Sequence, residues 1–402
     1  MKFAHTSDCH IGGWREDELK KLNVESFKRM IDICIQEHVG FLLIAGDLFD
    51  TSIPQIDMIK VVANQLKRLH EENIDVYVIP GSHDHSPSGK TMIGVLEKAG
   101  LCQNVFKMQE GCLSFTEDKT GAKISGIIGL SCGLERVQYK ELQNRKELEE
   151  EGGFKIFMFH TLLEELKPKS WDKVPGESYS LLPKNFNYYA GGHPHFVLQK
   201  QVDGHGMIAY PGPLFPNNFK ELEELQHGGF FIVDDQLNMK HMPIKVKDVV
   251  SLKFDASNKL PHEVEAEMLD KIKSLDLTNK IVTLRVAGCL KSGKPSDIDF
   301  KKVIASASSA FVVLKNTYKL TTKEFEEVNI DSGKAEDIEE KIIEEHLGQV
   351  DIADLGLEEK WLIKNLFSCL NKEKHEGETK ADLEHRLMKD LLQSLKLEEK
   401  WV

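Results

Sequence analysis

The chain has 402 residues, of which 41% are hydrophobic, and a formal net charge of −13. That length exceeds one typical core and predicts two or three units, while the hydrophobic share is ample for globular folding. Seven scattered cysteines without a C-x-x-C pair argue against a disulfide framework. No apolar run approaches the roughly 18 residues that span a bilayer, and no signal peptide precedes the first predicted strand. We therefore expect a cytoplasmic protein.

The acidic charge is concentrated in the last part of the sequence. From Thr321 to Val402 there are 12 Lys and Arg against 22 Asp and Glu, a net of −10 out of the chain's −13. The preceding residues are therefore nearly neutral. Nucleic-acid affinity depends on local basic patches that neutralise phosphates rather than on total charge, so the net charge does not exclude a nucleic-acid substrate.

Five short apolar runs in the first half of the chain predict buried strands. They are Lys2–Ala4, Phe41–Ile44, Val76–Ile79, Ile156–Phe159 and Tyr188–Ala190. A polar cluster follows each run. In chain order the clusters are Asp8-Cys9-His10, Gly46-Asp47-Leu48-Phe49-Asp50, Gly81-Ser82-His83-Asp84, His160 and Gly192-His193-Pro194-His195. Because ligands gather at the carboxyl ends of strands in α/β folds, we expect these side chains to meet. Apolar residues at three-to-four spacing predict helices at Glu25–Glu37 and Ile56–Glu72, which could pack internally or form a dimer face.

The residue types in these clusters suit metal binding. Imidazole and carboxylate groups are ligands of manganese, iron and zinc, and a carboxylate such as that of Asp47 can bridge two ions. Two ions about 3.5–4 Å apart clamp the attacking and leaving oxygens of a phosphoryl displacement, so the set indicates phosphoester hydrolysis. A single histidine or aspartate after a strand is usually a cap or a turn residue. Five clusters in register favour a metal site, with Cys9 as a spacer between two ligands.

The order and spacing of these clusters resemble the calcineurin-like metallophosphoesterases, whose pattern is D-x-H, G-D-x-x-D, G-N-H-D/E, H and G-H-x-H. Within that superfamily the chain is most similar to double-strand-break repair nucleases of the SbcD and meiotic recombination eleven type, on account of Tyr210-Pro211-Gly212-Pro213 and Gly228–Val233. The resemblance implies an α/β (α+β) fold, with a four-layer β-sandwich flanked by helices over residues 1–243. It also implies a manganese-dependent DNA exonuclease and endonuclease with two metal ions that forms a homodimer.

The resemblance further implies roles for individual residues. The first ion is held by Asp8, His10, Asp47 and His195, and the second by Asp47, Ser82, His160 and His193. His83 is the catalytic histidine, which donates a proton to the leaving oxygen or steadies charge on the phosphate, and Asp50 orients its ring. For Asp84 and His85 we predict helix capping and an exposed polar position. Candidate DNA contacts, each of which is also compatible with an ordinary surface charge, are Arg15, Lys20, Lys21, Lys90 and Lys220.

One position departs from the family pattern. Ser82 stands where the family has asparagine, and its hydroxyl lies closer to the backbone than an amide oxygen would. Three outcomes are open: a water fills the gap and activity survives, the site prefers another metal, or the fold persists with little nuclease activity. Two alternatives to the nuclease follow, namely a phosphodiesterase acting on nucleotides or small phosphoesters and a catalytically weakened scaffold that binds DNA ends.

The sequence pattern shifts after Met242-Pro243. From there to Leu320 it predicts strand, helix, strand, helix and strand, at Val249–Phe254, Pro261–Leu275, Lys280–Val286, Ser296–Ala305 and Ala310–Lys315. This small α/β unit, residues 244–320, resembles the capping, DNA-binding domain of the repair nucleases.

Residues 321–402 combine an acidic linker with apolar residues at helical spacing, in Leu357–Leu370 and Leu383–Leu395. Two amphipathic helices in this C-terminal tail are similar to the helix-loop-helix with which the family grips the coiled coil of an SMC-like ABC ATPase. Packing on the protein's own core or in a homodimer stays open, because amphipathicity does not identify the partner. A nuclease of such a complex is expected to be associated with the nucleoid.

Overall fold

The computed structural model describes residues 1–85, 91–129, 139–140 and 142–322, with positions 361, 365, 368, 383, 386–390 and 392. The chain divides into two compact units, Met1–Val250 and Ser251–Val402. The domain boundary predicted after Pro243 stays a prediction, and Pro243 itself lies within a strand. Among the described residues, no helix is both long and apolar enough to cross a membrane.

The first unit is built on two six-stranded sheets. Its strands are β1 (Lys2–Thr6), β2 (Phe41–Ala45), β3 (Asp75–Ile79), β4 (Gln103–Asn104), β5 (Met108–Gln109), β6 (Cys112–Leu113), β7 (Thr116–Glu117), β8 (Lys123–Gly126), β9 (Lys155–His160), β10 (Tyr188–Gly192), β11 (Leu198–Val202), β12 (Gly206–Tyr210), β13 (Gly228–Asp234) and β14 (Met239–Ile244). Within the described residues its bounded helices are α1 (Asp17–Gln36), α2 (Ile56–Glu71), α3 (Met92–Lys98), α4 (Arg145–Glu150) and α5 (Phe219–Leu225).

The two sheets have similar strand arrangements. The first has the order β14-β13-β1-β2-β3-β4 and the second β11-β12-β10-β9-β8-β7, while β5 and β6 form a separate hairpin. Strands β1 to β4 run parallel to one another, and so do β8, β9, β10 and β12. Parallel neighbours end at the same edge of a sheet, so the loops after β1, β2 and β3 lie side by side, as do those after β9 and β10.

Side chains of the central strands alternate between two cores because successive strand residues point to opposite faces of a sheet. In β2, Phe41 and Leu43 pack between the two sheets, while Leu42 and Ile44 pack against α1 and α2. In β9, Ile156 and Met158 face the space between the sheets, whereas Phe157 and Phe159 belong to a third core on the outer face of the second sheet. The sandwich of sheets flanked by helices is therefore confirmed.

All five predicted strands are present, each extended by one or two residues. Helix α2 ends at Glu71, one residue before the predicted end. Helix α1 begins at Asp17 rather than Glu25, because Leu19 and Leu22 already bury their side chains in the core. We did not predict the two-residue strands β4 to β7, whose runs are too short to show a period of two.

The second unit contains the predicted alternation of strands and helices. Its elements are β15 (Val249–Asp255), which begins two residues before the unit boundary, α6 (Pro261–Lys273), β16 (Ile281–Leu290), α7 (Phe300–Ser306) and β17 (Val312–Thr322), with the strands in the order β15-β16-β17. Helix α7 begins later than the predicted Ser296, because Pro295–Asp297 forms a 3-10 turn and the Asp299 side chain caps the helix. The described positions of the tail are helical, and the rest of the two predicted tail helices lies outside the described residues.

Candidate metal centre

Four of the predicted ligands lie at strand ends with unusual backbone conformations. Asp8, His10 and Asp47 have φ angles of 51°, 43° and 52°, and His193 has 93°. Non-glycine residues seldom adopt positive φ, and such strain gathers at functional sites where the surroundings hold it. Here the loops after β1 and β2 hold each other, since Asp8 N–H donates to Gly46 O (3.1 Å) and His10 N–H to Asp47 O (3.0 Å).

Two glycines allow the two sheets to approach at this edge. A Cβ atom at Gly46, whose φ is +87°, would overlap the imidazole of His160. A Cβ atom at Gly192 would overlap both that imidazole and the carbonyl oxygen of Ala45. Glycine at these positions therefore lets a histidine from the second sheet lie against the end of β2 in the first.

The structure brings most of the predicted ligands together. Among the described residues, three groups have ligand atoms within 4.8 Å of one another: Asp8, His10 and His195; His10, Asp50 and His83; and Asp8, Asp47 and His160. Asp8, Asp47 and His160 are buried. His193 belongs to none of these groups, although its ring centroid lies 5.3 Å from that of His160.

On the side predicted for the first ion, His10 Nε2 lies 3.3 Å from His195 Nε2 and 3.7 Å from Asp47 Oδ2. His195 Nε2 is 3.6 Å from Asp8 Oδ1. The opposite ring nitrogens point away from this centre. His195 Nδ1 is 2.8 Å from Glu221 Oε1, and His10 Nδ1 is 3.2 Å from a carboxylate oxygen of Asp50. Both imidazoles therefore present Nε2 inward.

On the side predicted for the second ion, His160 Nε2 lies 3.1 Å from Asp47 Oδ2, and His160 Nδ1 is 2.8 Å from the backbone oxygen of Ala45. The Ser82 hydroxyl lies 3.5 Å from the same Asp47 oxygen. Asp47 is therefore the residue common to both sides, as expected of a bridging carboxylate. Ser82 reaches this carboxylate, whereas His193 lies against the ring of His160.

The donor set fits divalent cations. Within the described part of the chain, the buried His160 Nε2 makes no hydrogen bond although a carboxylate lies beside it. Burial lowers the pKa of His160, but the charge of Asp47 and its contact with the ring, together with the charge of Asp8 and the Ala45 oxygen, outweigh burial and raise that pKa to about 9. For His195, burial again lowers the pKa, and the nearby carboxylates of Asp8 and Glu221 raise it to about 10. Two buried carboxylates thus draw positive charge to the places that ions would fill.

The predicted role of Asp50 needs a correction. Its carboxylate lies 3.9 Å from His83 Nδ1 but only 3.2 Å from His10 Nδ1. The backbone oxygen of Asp50 is the atom near the His83 ring, at 2.6 Å from Nδ1. His83 is thus oriented by the main chain of residue 50, while the side chain of that residue serves His10. The His83 side chain is 46% exposed, so a substrate can reach it.

The prediction of helix capping for Asp84 is wrong. Its carboxylate is buried and accepts the backbone N–H groups of Leu48 (3.1 Å), Phe49 (3.0 Å) and Gly81 (3.0 Å). Helix α3 is capped instead by Thr91. Burial and the nearby charge of Asp47 raise the pKa of Asp84 to about 6. Asp84 therefore ties the loop after β3 to the loop after β2.

The candidate DNA contacts remain predictions. Lys20 is 3.5 Å from Asp17 and Lys220 is 3.8 Å from Glu224. Arg15 and Lys21 are exposed, and Lys90 lies outside the described residues. Sequence reasoning missed Glu221 altogether. The only sequence signal near it is the pattern Asn218-x-x-Glu221, which is typical of a helix start.

Comparison with known proteins defines the class of this protein. Residues 1–196 match the family described as calcineurin-like phosphoesterase. A dimetal phosphatase from Danio rerio aligns with a TM-score of 0.35 and 10% identity, over 61% of this chain and 98% of that one. The chain has a calcineurin-like phosphoesterase domain and is a metal-dependent hydrolase, as its motifs predicted.

More specific relatives are DNA double-strand break repair proteins named Mre11. The protein from Methanococcus maripaludis is 28% identical over 276 residues, which cover 65% of this chain and 71% of the relative. That from Thermoplasma acidophilum is 28% identical over 296 residues, covering 71% and 76%. That from Sulfurisphaera tokodaii is 33% identical over 223 residues, covering 52% and 53%. The predicted resemblance to the repair nucleases is confirmed.

Proposed function

We propose that this protein is a DNA exonuclease and endonuclease that uses two divalent ions, preferably manganese. The observation that carries the proposal is the inward orientation of three imidazoles, whose Nε2 atoms face the carboxylates of Asp8 and Asp47. Imidazole and carboxylate together suit manganese, iron or zinc, and manganese is the ion that the resemblance to the repair nucleases implies. DNA is proposed as the substrate because the relatives named above are DNA repair proteins.

Each residue has a stated task in this proposal. The first ion would be held by Asp8, His10, Asp47 and His195, and the second by Asp47, Ser82, His160 and His193. A bound pair of ions would supply Lewis acidity at the phosphate oxygens. Asp8 is kept in place by the backbone N–H of His193 (3.0 Å), and Asp47 by the backbone N–H of His83 (2.8 Å).

His83 is the proposed catalytic residue. The carbonyl oxygen of Asp50 accepts a hydrogen bond from Nδ1–H, which leaves Nε2 to exchange a proton with the substrate. Because the ring is half exposed at the edge of the site, its protonated form can donate the Nε2 proton to the leaving 3′-oxygen and is left neutral, with Nδ1–H still bonded to the Asp50 carbonyl. The ring also lies edge-on to His10, with centroids 4.7 Å apart, which supports a role for it beside the first ion.

The wider assignments follow the same proposal. Arg15, Lys20, Lys21, Lys90 and Lys220 would contact phosphates, and residues 244–320 would form the capping domain. The C-terminal tail would dock on an SMC-like ABC ATPase, which is supported by the leucine spacing of the sequence. We also propose that the protein forms a homodimer and is associated with the nucleoid.

A nuclease assay tests the proposal. Purified protein is incubated with end-labelled linear duplex DNA, with Mn²⁺ or with a chelator. We expect degradation only with Mn²⁺, and a roughly 10²–10⁴-fold slower rate for His83→Ala, because a general acid contributes about that much. His70→Ala, which changes an exposed histidine at the end of α2, is the matched control. A His83→Ala enzyme as fast as wild type would contradict the proposed catalytic role.

The second candidate function is a catalytically weakened scaffold that binds DNA ends. It is favoured by the residues predicted to hold the second ion. There Ser82 replaces the asparagine of the family, and His193 falls outside the groups of clustered ligands. Binding of DNA ends by wild type without Mn²⁺-dependent cleavage would support this candidate. Cleavage of bis(p-nitrophenyl) phosphate without action on DNA would instead favour a small-molecule phosphodiesterase.

A further inference from the structure

One loop lies behind both imidazoles of the first ion. It runs from Asn217 through the N-cap Asn218 into the first turn of α5, which contains Glu221. The Glu221 side chain is 14% exposed, and its two carboxylate oxygens have separate partners. Oε1 is 2.8 Å from His195 Nδ1, while Oε2 accepts the backbone N–H of Asn217 at 2.8 Å. The contact with His195 therefore leaves the second oxygen to fix the loop.

The N-cap of α5 fixes the position of Glu221 from the other direction. The Asn218 side-chain oxygen accepts the Glu221 backbone N–H at 3.0 Å, and the Asn218 amide donates to Glu221 Oε1 at 2.5 Å. An N-cap residue and a glutamate three positions later commonly exchange such hydrogen bonds. Glu221 is unusual because its carboxylate also reaches a histidine 26 positions away in sequence.

The same loop reaches the other imidazole through Asn217. The Asn217 side chain lies beside the Asp50 carboxylate, which is 3.2 Å from His10 Nδ1. These groups are closely packed, because a Cβ atom at Gly13 would lie 2.6 Å from Asn217 Oδ1 and 2.9 Å from Asp50 Oδ1. Glu221 thus contacts His195 directly and reaches His10 through Asn217 and Asp50.

We propose that Glu221 is a positioning residue for the first metal ion. It holds a proton on His195 Nδ1 and so directs the lone pair of Nε2 at the ion, and through Asn217 it fixes the Asp50–His10 pair. The inference rests on the proposed two-metal function. Carboxylates on the far nitrogen of a metal-binding histidine fix its tautomer and raise its basicity, and their loss typically costs about 10–100-fold in metal affinity.

Calorimetric titration of the metal-free full chain with Mn²⁺ tests the inference. We expect the first ion to be the more tightly bound of the two. Glu221→Ala should weaken the binding of that ion about 10–100-fold and leave the affinity for the second ion unchanged. Glu224→Ala is the matched control, because Glu224 lies on the same helix, is exposed and pairs only loosely with Lys220 at 3.8 Å. Thermal unfolding of the metal-free variants separates loss of metal affinity from loss of the helix cap.

The outcomes divide clearly. Wild-type affinity in Glu221→Ala would overturn the inference, even if its unfolding temperature fell. Should that variant not fold, Glu221→Gln decides, because the amide oxygen can still accept the Asn217 N–H while the negative charge is gone. If Glu221→Gln lowers the affinity for the more tightly bound ion, the inference is supported. If that affinity is unchanged, the inference is overturned. Failure of wild type to bind Mn²⁺ would instead sink the proposed function, and this inference with it.

Discussion

On the side of the first ion, His10 and His195 each face a carboxylate at Nδ1, whereas His160, on the side of the second ion, faces only the backbone oxygen of Ala45. The first side therefore has two histidines held at the far ring nitrogen by charged carboxylates, and the second has a histidine held there by a neutral acceptor and a serine in place of an amide. Outer carboxylates strengthen metal ligands. The difference leads us to expect two ions of unequal affinity, with the first binding more tightly.

The largest effect is expected for the residue that the two sides share. Asp47→Ala removes the carboxylate that lies 3.1 Å from His160 Nε2 and 3.7 Å from His10 Nε2. We expect the second ion to be lost, the first to be weakened, and phosphoester hydrolysis to fall to background. Calorimetry with Mn²⁺ measures the binding of the two ions, and a phosphodiesterase assay measures hydrolysis. Asp203→Ala, which changes an exposed aspartate, is the control. If Asp47→Ala still binds two ions as tightly as wild type does, Asp47 is not a shared ligand of the two ions.

The pH dependence of metal affinity comes next in size. His160 and His195 have pKa values of about 9 and about 10, both raised, so each carries a proton near neutral pH that an ion must displace. Below those values Mn²⁺ affinity should therefore rise with pH, by up to roughly tenfold per unit for each proton released. Titrations in buffers of different ionisation enthalpy measure the protons released. Affinity independent of pH from about 6.5 to about 8.5 would contradict protonated ligands.

Asp84 tests how the loop that carries Ser82 and His83 is held. Asp84→Ala leaves three buried backbone N–H groups without their acceptor. At about 1 kcal/mol for each lost hydrogen bond, we expect the free energy of unfolding to fall by about 3 kcal/mol. Chemical denaturation of the metal-free protein measures this, again beside Asp203→Ala. A change below about 0.5 kcal/mol, which is ordinary for a surface site, would mean that the loop does not need this carboxylate.

The smallest effect is expected at Ser82. Ser82→Asn should restore an amide oxygen that reaches further than the hydroxyl, which now lies 3.5 Å from Asp47. We expect the weaker ion to bind roughly tenfold more tightly, about 1.4 kcal/mol, with the tighter ion unchanged. Ser52→Asn, on the loop before α2, is the control for a serine outside the centre. If the affinity for the second ion is unchanged or lower in Ser82→Asn, the serine is not the cause of the difference in affinity between the two ions.

Much of the fold could be predicted from local sequence. The strands that lead to the ligands are buried on both faces, so they read as continuous apolar runs such as Phe41–Ile44, and the residues after them could be placed at one edge. The start of α1 at Asp17 could not be predicted, because its first turns are polar and only Leu19 and Leu22 reveal a buried side. Ligand types and strand ends were therefore the reliable signals.

The outer residues of the site could not be predicted in the same way. Glu221 and Asp84 act through contacts with residues 26 and 36 positions away, and no local pattern encodes a contact across two loops. Asp50 illustrates the same limit, since motif analogy placed its carboxylate beside His83 although it lies nearer His10. Ligands at strand ends follow from the order of the strands, whereas their supports follow from loop packing.

Anomalous diffraction from a crystal soaked in Mn²⁺ tests the central claim most directly. We expect one strong peak among Asp8, His10, Asp47 and His195, and a second, less occupied at limiting Mn²⁺, between Asp47 and His160. No peak within reach of the Asp47 carboxylate at saturating Mn²⁺ would contradict the account.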